Sequence, residues 1–310
     1  MTRFLQISWS GLTSGSIVAL LAFGWVVVYR VSGVLNLAQG TFMVVGALSF
    51  TSLAGEHGAP LVVAGLVGFA ASVGLAVLLD LLALRPARPG GSPAQAIIIT
   101  LGCAMVLDEV SRHVWGNDPL RQAPFLDTTP LDVWGVRVQQ HALLLVAGTL
   151  VLLGAMWFVF DRTLVGKALE ACSESAEGAS LVGINPRLMR TVAFAVAGGT
   201  GAVAGILLVP TVAIGWDSGL LLGIKGFIAA VLGSWGYPGA VAAAVLLGLS
   251  ENYAAGYLSS AWKDAVTLVV LLVVLLVRPQ GIIPRRGARP APAPAPASTE
   301  AGPVTATGGP

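Results

Sequence analysis

Apolar runs of near-membrane length, divided by short polar turns, fill this chain as far as residue 277. They run Leu12–Tyr29, Val34–Leu53, Pro60–Leu84, Gln95–Val110, His141–Phe160, Thr191–Ile214, Leu220–Trp235, Pro238–Tyr253 and Tyr257–Val277. A helix needs about 20 predominantly apolar residues to cross a bilayer, so the pattern predicts an all-α polytopic bundle of about eight to ten crossings. Gln95–Val110 and Leu220–Trp235 are shorter, reaching only ~24 Å as helices, which leaves each open to being a full crossing, a half-span or a re-entrant piece. A membrane barrel is excluded because it needs alternating polarity, and Ala265–Val277 (AVTLVVLLVVLLV) does not alternate.

One long polar, helix-compatible stretch interrupts this pattern, Asp161–Arg190. Asp161 or Thr163 can cap a helix start, and Gly183-Ile184-Asn185-Pro186 is a stop signal. Between them Ala168, Leu169, Ala171, Cys172, Ala176, Ala179, Leu181 and Val182 interleave with Glu170, Glu174 and Glu177. The stretch is too polar to span and too long for a turn. It predicts a short amphipathic helix at the cytoplasmic face. Helices that lie on lipid carry Lys/Arg-rich polar faces, whereas this one is acidic in its middle. A small-residue surface docked in another protein's groove is the better reading. After Pro284 the chain alternates Pro and Ala with no large hydrophobe, so residues 285–310 are expected to form a disordered tail beside a membrane domain of residues 1–284.

Composition agrees. Hydrophobic residues make up 55% and charged ones 10%, with mean hydropathy +0.84; soluble domains carry about 25% charged residues. The positive-inside bias puts Arg30, Arg85, Arg88, Arg162, Lys167, Arg187, Arg190, Arg278, Arg285, Arg286 and Arg289 on the side of the polar stretch. It leaves Arg3, Arg112, Arg121 and Arg137 opposite, with the N-terminus out and the C-terminus in the cytoplasm. The first run lacks a basic leader and a small-residue cleavage site, so it reads as a retained span. The outer loop Trp115–Gln140 is expected to be a packed, turn-rich cap. Asp108 with Arg112 and Glu109 with His113 are spaced to pair along a helix, so the helix is expected to run on into the interface. Cys103 and Cys172 fit incidental small residues rather than a disulfide.

The chain has no phosphate loop, no zinc-protease helix and no nucleophile elbow, and its histidines are too scattered for a metal site, so neither catalysis nor a metal is expected. Asn36 and Gln39 lie three residues apart early in a span, flanked by Gly33 and Gly40. Amides in hydrocarbon need partners or a cavity, so they either line a pathway or bond neighbouring helices. Gly11-x3-Gly15 and Gly201-x3-Gly205 are close-packing faces. Lys225, Lys263 and Asp264 fall near the outer edge, where they snorkel to water or serve an outer gate. Glycine-rich interruptions near 33–46 and 223–239 echo one another weakly, as broken helices do around a transport site.

Several motifs in order resemble the branched-chain amino acid importer permeases of the LivH type. They are GLTSGSIVALLAFGWVVVYRVSGVLNLAQGTFMVVGA, ASLVGINPRLMRTVAFAVAGGTGAVAGIL, GIKGFIAAVLGSWGYPGAVAAAVLLGLSE, GYLSSAWKDAV and LLVRPQGIIP, covering residues 8–284. The resemblance implies a multi-pass subunit of the bacterial inner membrane. It would work with a second, LivM-like permease, two LivG/LivF-like ATPases that carry ATP and magnesium, and an extracytoplasmic binding protein that delivers leucine, isoleucine, valine or a related small amino acid or amide, with no nucleic acid. The family's ATPase-coupling helix maps onto Glu170–Asn185, including Glu170, Ala171, Glu177, Ala179, Leu181, Gly183, Ile184 and Asn185. Asn36, Gln39, Gly40 and Lys225 are the candidate pathway residues. Two departures stand out: Gln39 replaces a common histidine, and Glu170 a common basic residue. A stand-alone, ion-coupled transporter or channel is the alternative, disfavoured because no paired carboxylates or histidine relay lie deep in the spans.

Overall fold

A computed structural model describes residues 2–87, 93–126, 129–133, 136–259 and 262–277; the expected tail lies outside them. The chain folds as α1 (Thr2–Ser32), α2 (Gln39–Thr51), α3 (Leu61–Leu78), α4 (Pro93–Trp115), α5 (Gln140–Arg162), α6 (Leu164–Glu174), α7 (Ala176–Leu181), α8 (Pro186–Leu208), α9 (Ser218–Leu232), α10 (Tyr237–Tyr257) and α11 (Lys263–Val277). π-helical turns extend α2 over Ser52–Glu56 and α3 over Leu79–Leu84. Among the described residues, five helices are long and apolar enough to cross a membrane. α2 and α9, of 13 and 15 residues, reach only ~20 Å.

The bundle is built around α1, whose Ile17–Val28 stretch is buried almost without a break. Gly11 and Gly15 let it lie directly on α10, where a Cβ on Gly248 would come within 2.4 Å of the Gly11 carbonyl oxygen and the Gly15 nitrogen. This is the small-residue contact that lipid-embedded helices use in place of a hydrophobic driving force. Ser72 Oγ of α3, fully buried, lies 2.8 Å from the carbonyl oxygens of both Phe42 on α2 and Gly198 on α8. Its one proton thus holds three helices together.

Residues 33–38 leave the helical path before α2 begins. Backbone groups freed inside a membrane need protein partners. Thr100 Oγ1 of α4 donates to Leu35 O and accepts from Leu37 N, while Asn36 Oδ1 accepts from Ala38 N. The second break, Gly233–Gly236, places Ser234 and Trp235 at φ 58° and 56°, with the Trp235 ring stacked 3.9 Å from that of Tyr29.

One open expectation is settled and two change. Gln95–Val110 is part of the 23-residue α4 rather than a half-span, because the helix begins at Pro93 and runs on past Val110 to Trp115, the continuation that the Asp108 and Glu109 spacing predicts. Arg112 pairs with Glu109, and Asp108 takes the Thr41 hydroxyl of α2 at 3.0 Å instead of Arg112. The polar stretch is two helices rather than one, broken at Ser175 (φ −158°). The Trp115–Gln140 loop keeps its expected turn-rich character, with a short antiparallel hairpin, β1 (Leu131–Val133) with β2 (Val136–Val138), and a bridge from Leu120 to Ile214.

Candidate functional site

Two places carry polar chemistry the bundle does not need for packing. At one end α6 and α7 form a tight corner. Thr163 Oγ1 accepts from Gly166 N at 3.1 Å to start α6, and Ser175 Oγ accepts from Gly178 N at 3.0 Å to start α7. Such caps satisfy amides that a helix start leaves open. α7 ends as Gly183 turns left-handed at φ +86°. Gly183 N then bonds Ser180 O, and Ile184 N bonds Ala179 O at 3.0 Å, the paired closure of a glycine-ended helix. Asn185 Oδ1 next accepts from Arg187 N and Leu188 N and starts α8 at Pro186. Asn185 therefore caps α8 rather than ending α7.

Leu169, Cys172 and Ala179 turn inward against Phe23, Val27 and Met189, and burial pushes the Cys172 thiol up. Glu170, Glu174 and Glu177 face outward. So do Leu164, 90% exposed, Leu181, 87%, and Val182, 75%. Ala171 and Ile184 are half-buried at the seam. The corner thus offers apolar side chains and carboxylates together on a capped scaffold.

It is tied into the bundle by charge. Arg30, ending α1, lies 4.9 Å over the Tyr237 ring and 3.5 Å from Ser173 of α6. Asp80, fully buried in the turn that ends α3, accepts from Arg190 Nε and Thr191 Oγ1 of α8, each at 2.6 Å, with Arg85 at 3.6 Å. Sequence reading missed Asp80, since a lone acid inside an apolar run announces no partner 110 residues away.

At the opposite end a cavity of about 450 Å³ opens between α1, α5, the end of α8, α9, α10 and α11. It holds Lys225 of α9, the fourth pathway candidate. Contrary to the snorkelling expectation, Lys225 is buried with Nζ 3.1 Å from Glu251 Oε2 on α10. The Thr267 hydroxyl of α11 donates to the other carboxylate oxygen. Asn36, Gln39 and Gly40 lie instead in the closely packed interior: Gln39 Nε2 donates to Ala197 O at 3.0 Å, and Gly40 abuts Gly219 and Gly223. None of these three lines the cavity that holds Lys225. Among the described residues there is no group of His, Cys, Asp and Glu able to hold a metal.

Comparison with known proteins adds a family. Residues 8–275 match the family described as branched-chain amino acid transport system / permease component. The chain is 32% identical over 307 residues to the high-affinity branched-chain amino acid transport system permease protein LivH of Escherichia coli, covering 91% of this chain and 96% of that one. It is 30% identical to BraD of Pseudomonas aeruginosa, a permease of the same description, with the same coverage. A probable LivH of Methanocaldococcus jannaschii is 27% identical, covering 86% of this chain and 88% of its own.

Proposed function

The chain belongs to the branched-chain amino acid transport permease family, and from that premise we propose that it is the membrane-spanning subunit of an ATP-driven importer of branched-chain amino acids. It is a multi-pass membrane protein and a transport component rather than an enzyme. The single observation that carries the coupling role is the α6–α7 corner, where Leu164, Leu181 and Val182 are exposed beside Glu170 and Glu177 on a scaffold joined directly to α8. Two cytoplasmic ATPases, which bind the ATP and magnesium, take this corner. A LivM-like permease completes the path and an extracytoplasmic binding protein delivers cargo at the end with the cavity. The α6–α7 end and the chain's C-terminus then lie in the cytoplasm of a bacterial inner membrane, with residues 285–310 a solvated tail beyond the domain of residues 1–284.

Motion enters at α7 and passes through the Gly183 turn and the Asn185 cap into α8. From there Arg190 and Thr191 carry it through Asp80 to α3, and Arg30 holds the end of α1 to α6. The partner drives the bundle only because its nucleotide-bound and nucleotide-free forms contact the corner differently. The ion-coupled alternative has no support among the relatives, which are permeases of transport systems.

Replacing Gly183 with valine tests this. No atom lies within 4 Å of the new Cβ, so the obstacle is the backbone angle, φ +86°, which strains a β-branched residue by about 1–2 kcal/mol. In proteoliposomes holding the whole importer, ATP hydrolysis should persist while leucine uptake per ATP falls about tenfold. Uptake with unchanged coupling would refute the proposed route.

A further inference from the structure

The Lys225–Glu251 pair is a poor structural investment on its own. Side chains only 11% and 4% exposed have lost their hydration, and a buried pair of this kind is often matched or bettered in stability by well-packed apolar residues. A buried charge pair inside a membrane-embedded bundle marks a function by default. This pair also borders a cavity. The Trp9 indole N–H and Lys263 border it too, and the indole nitrogen is buried with no protein partner. The remaining wall mixes Ile17, Leu145, Val212 and Leu222 with hydroxyls such as those of Thr13 and Thr211. About 450 Å³, walled by aliphatic side chains with polar groups converging among them, is the anatomy of a small-molecule site.

We propose that this cavity holds the cargo in transit as an α-amino-acid zwitterion, its carboxylate on Lys225 and its ammonium on Glu251, with an aliphatic side chain against the aliphatic part of the wall. This rests on the import reading above. The electrostatics are those of exchange. The two protein charges are already desolvated, so an entering zwitterion replaces one buried ion contact with two, and no net charge enters the membrane. Thr267, donating to Glu251, fixes the carboxylate while Lys225 changes partner. A ligand with one charge leaves one member of the pair uncompensated and is rejected, since an unpaired buried charge is costly.

The test uses the assembled importer in nanodiscs, without ATP or binding protein, and saturation-transfer NMR, which reads weak binding. Three probes share one side chain: L-leucine, 3-methylbutylamine and 4-methylpentanoate. Leucine should receive saturation, and each single-charge probe at least about tenfold less, the worth of one charge-assisted hydrogen bond. Glu251→Gln and Lys225→Met, checked as intact complexes, should each lose the leucine signal. Equal signals from the three probes on the unaltered protein, or an undiminished leucine signal in both variants, would overturn the proposal. Failure of the import reading looks different: the unaltered complex, given its binding protein and ATP, would take up no leucine whatever its NMR preference.

Discussion

Asp80→Ala is expected to cost the bundle about 3–5 kcal/mol, the range for removing one partner of a buried ion pair, and to cut uptake by more than the loss of folded protein explains. Asp80 is fully buried and accepts from Arg190 and Thr191 at 2.6 Å each. Its removal leaves the Arg190 guanidinium, three-quarters buried, without its carboxylate. Arg85 is more exposed and farther away at 3.6 Å, so its share is small. Thermal unfolding of the purified protein reads the first effect. Leucine uptake per ATP, normalised to folded complex, reads the second. Asp80→Asn keeps an oxygen for Thr191 and should fall between the alanine variant and the parent. A variant with unchanged melting temperature would show that the α3–α8 contact rests on packing alone.

Gly40→Ala is expected to abolish assembly outright. A Cβ there would sit 1.7 Å from the Gly219 carbonyl oxygen. The obstacle is backbone on a neighbouring helix, not a side chain able to turn away. Ordinary overpacking costs about 1–3 kcal/mol, and here α2 must separate from α9, exposing the polar break at residues 33–38. Folded protein recovered from membranes should be absent. Gly65→Ala, with nothing within 4 Å of its Cβ, should be recovered at the parent level. Recovery of both alike would mean that the α2–α9 crossing is looser than described.

What could be read from the sequence was local. Gly183 and Pro186 stop and restart a helix through their own backbone preferences, so the end of α7 and start of α8 were legible before any packing was known. Gly11 and Gly15 were readable too, because a four-residue spacing puts two small residues on one face; the structure places that face on α10. What escaped notice depended on distant partners. Lys225 meets Glu251 across 26 residues, and each taken singly looks like a charge seeking water. Asp80 hides between leucines. The break at Ser175 was overlooked for another reason: serine is acceptable inside a helix until its hydroxyl is seen capping the next one.

In the proposed importer the α6–α7 corner faces the cytoplasm and seats a nucleotide-driven partner. The most direct measurement places a cysteine at Leu181, 87% exposed, in a Cys103→Ser background, and treats membrane vesicles of known orientation with an impermeant maleimide. Labelling should occur only from the cytoplasmic side and should be blocked once the ATPases are bound. Labelling from the opposite side, or labelling that bound ATPases leave unchanged, would contradict the account.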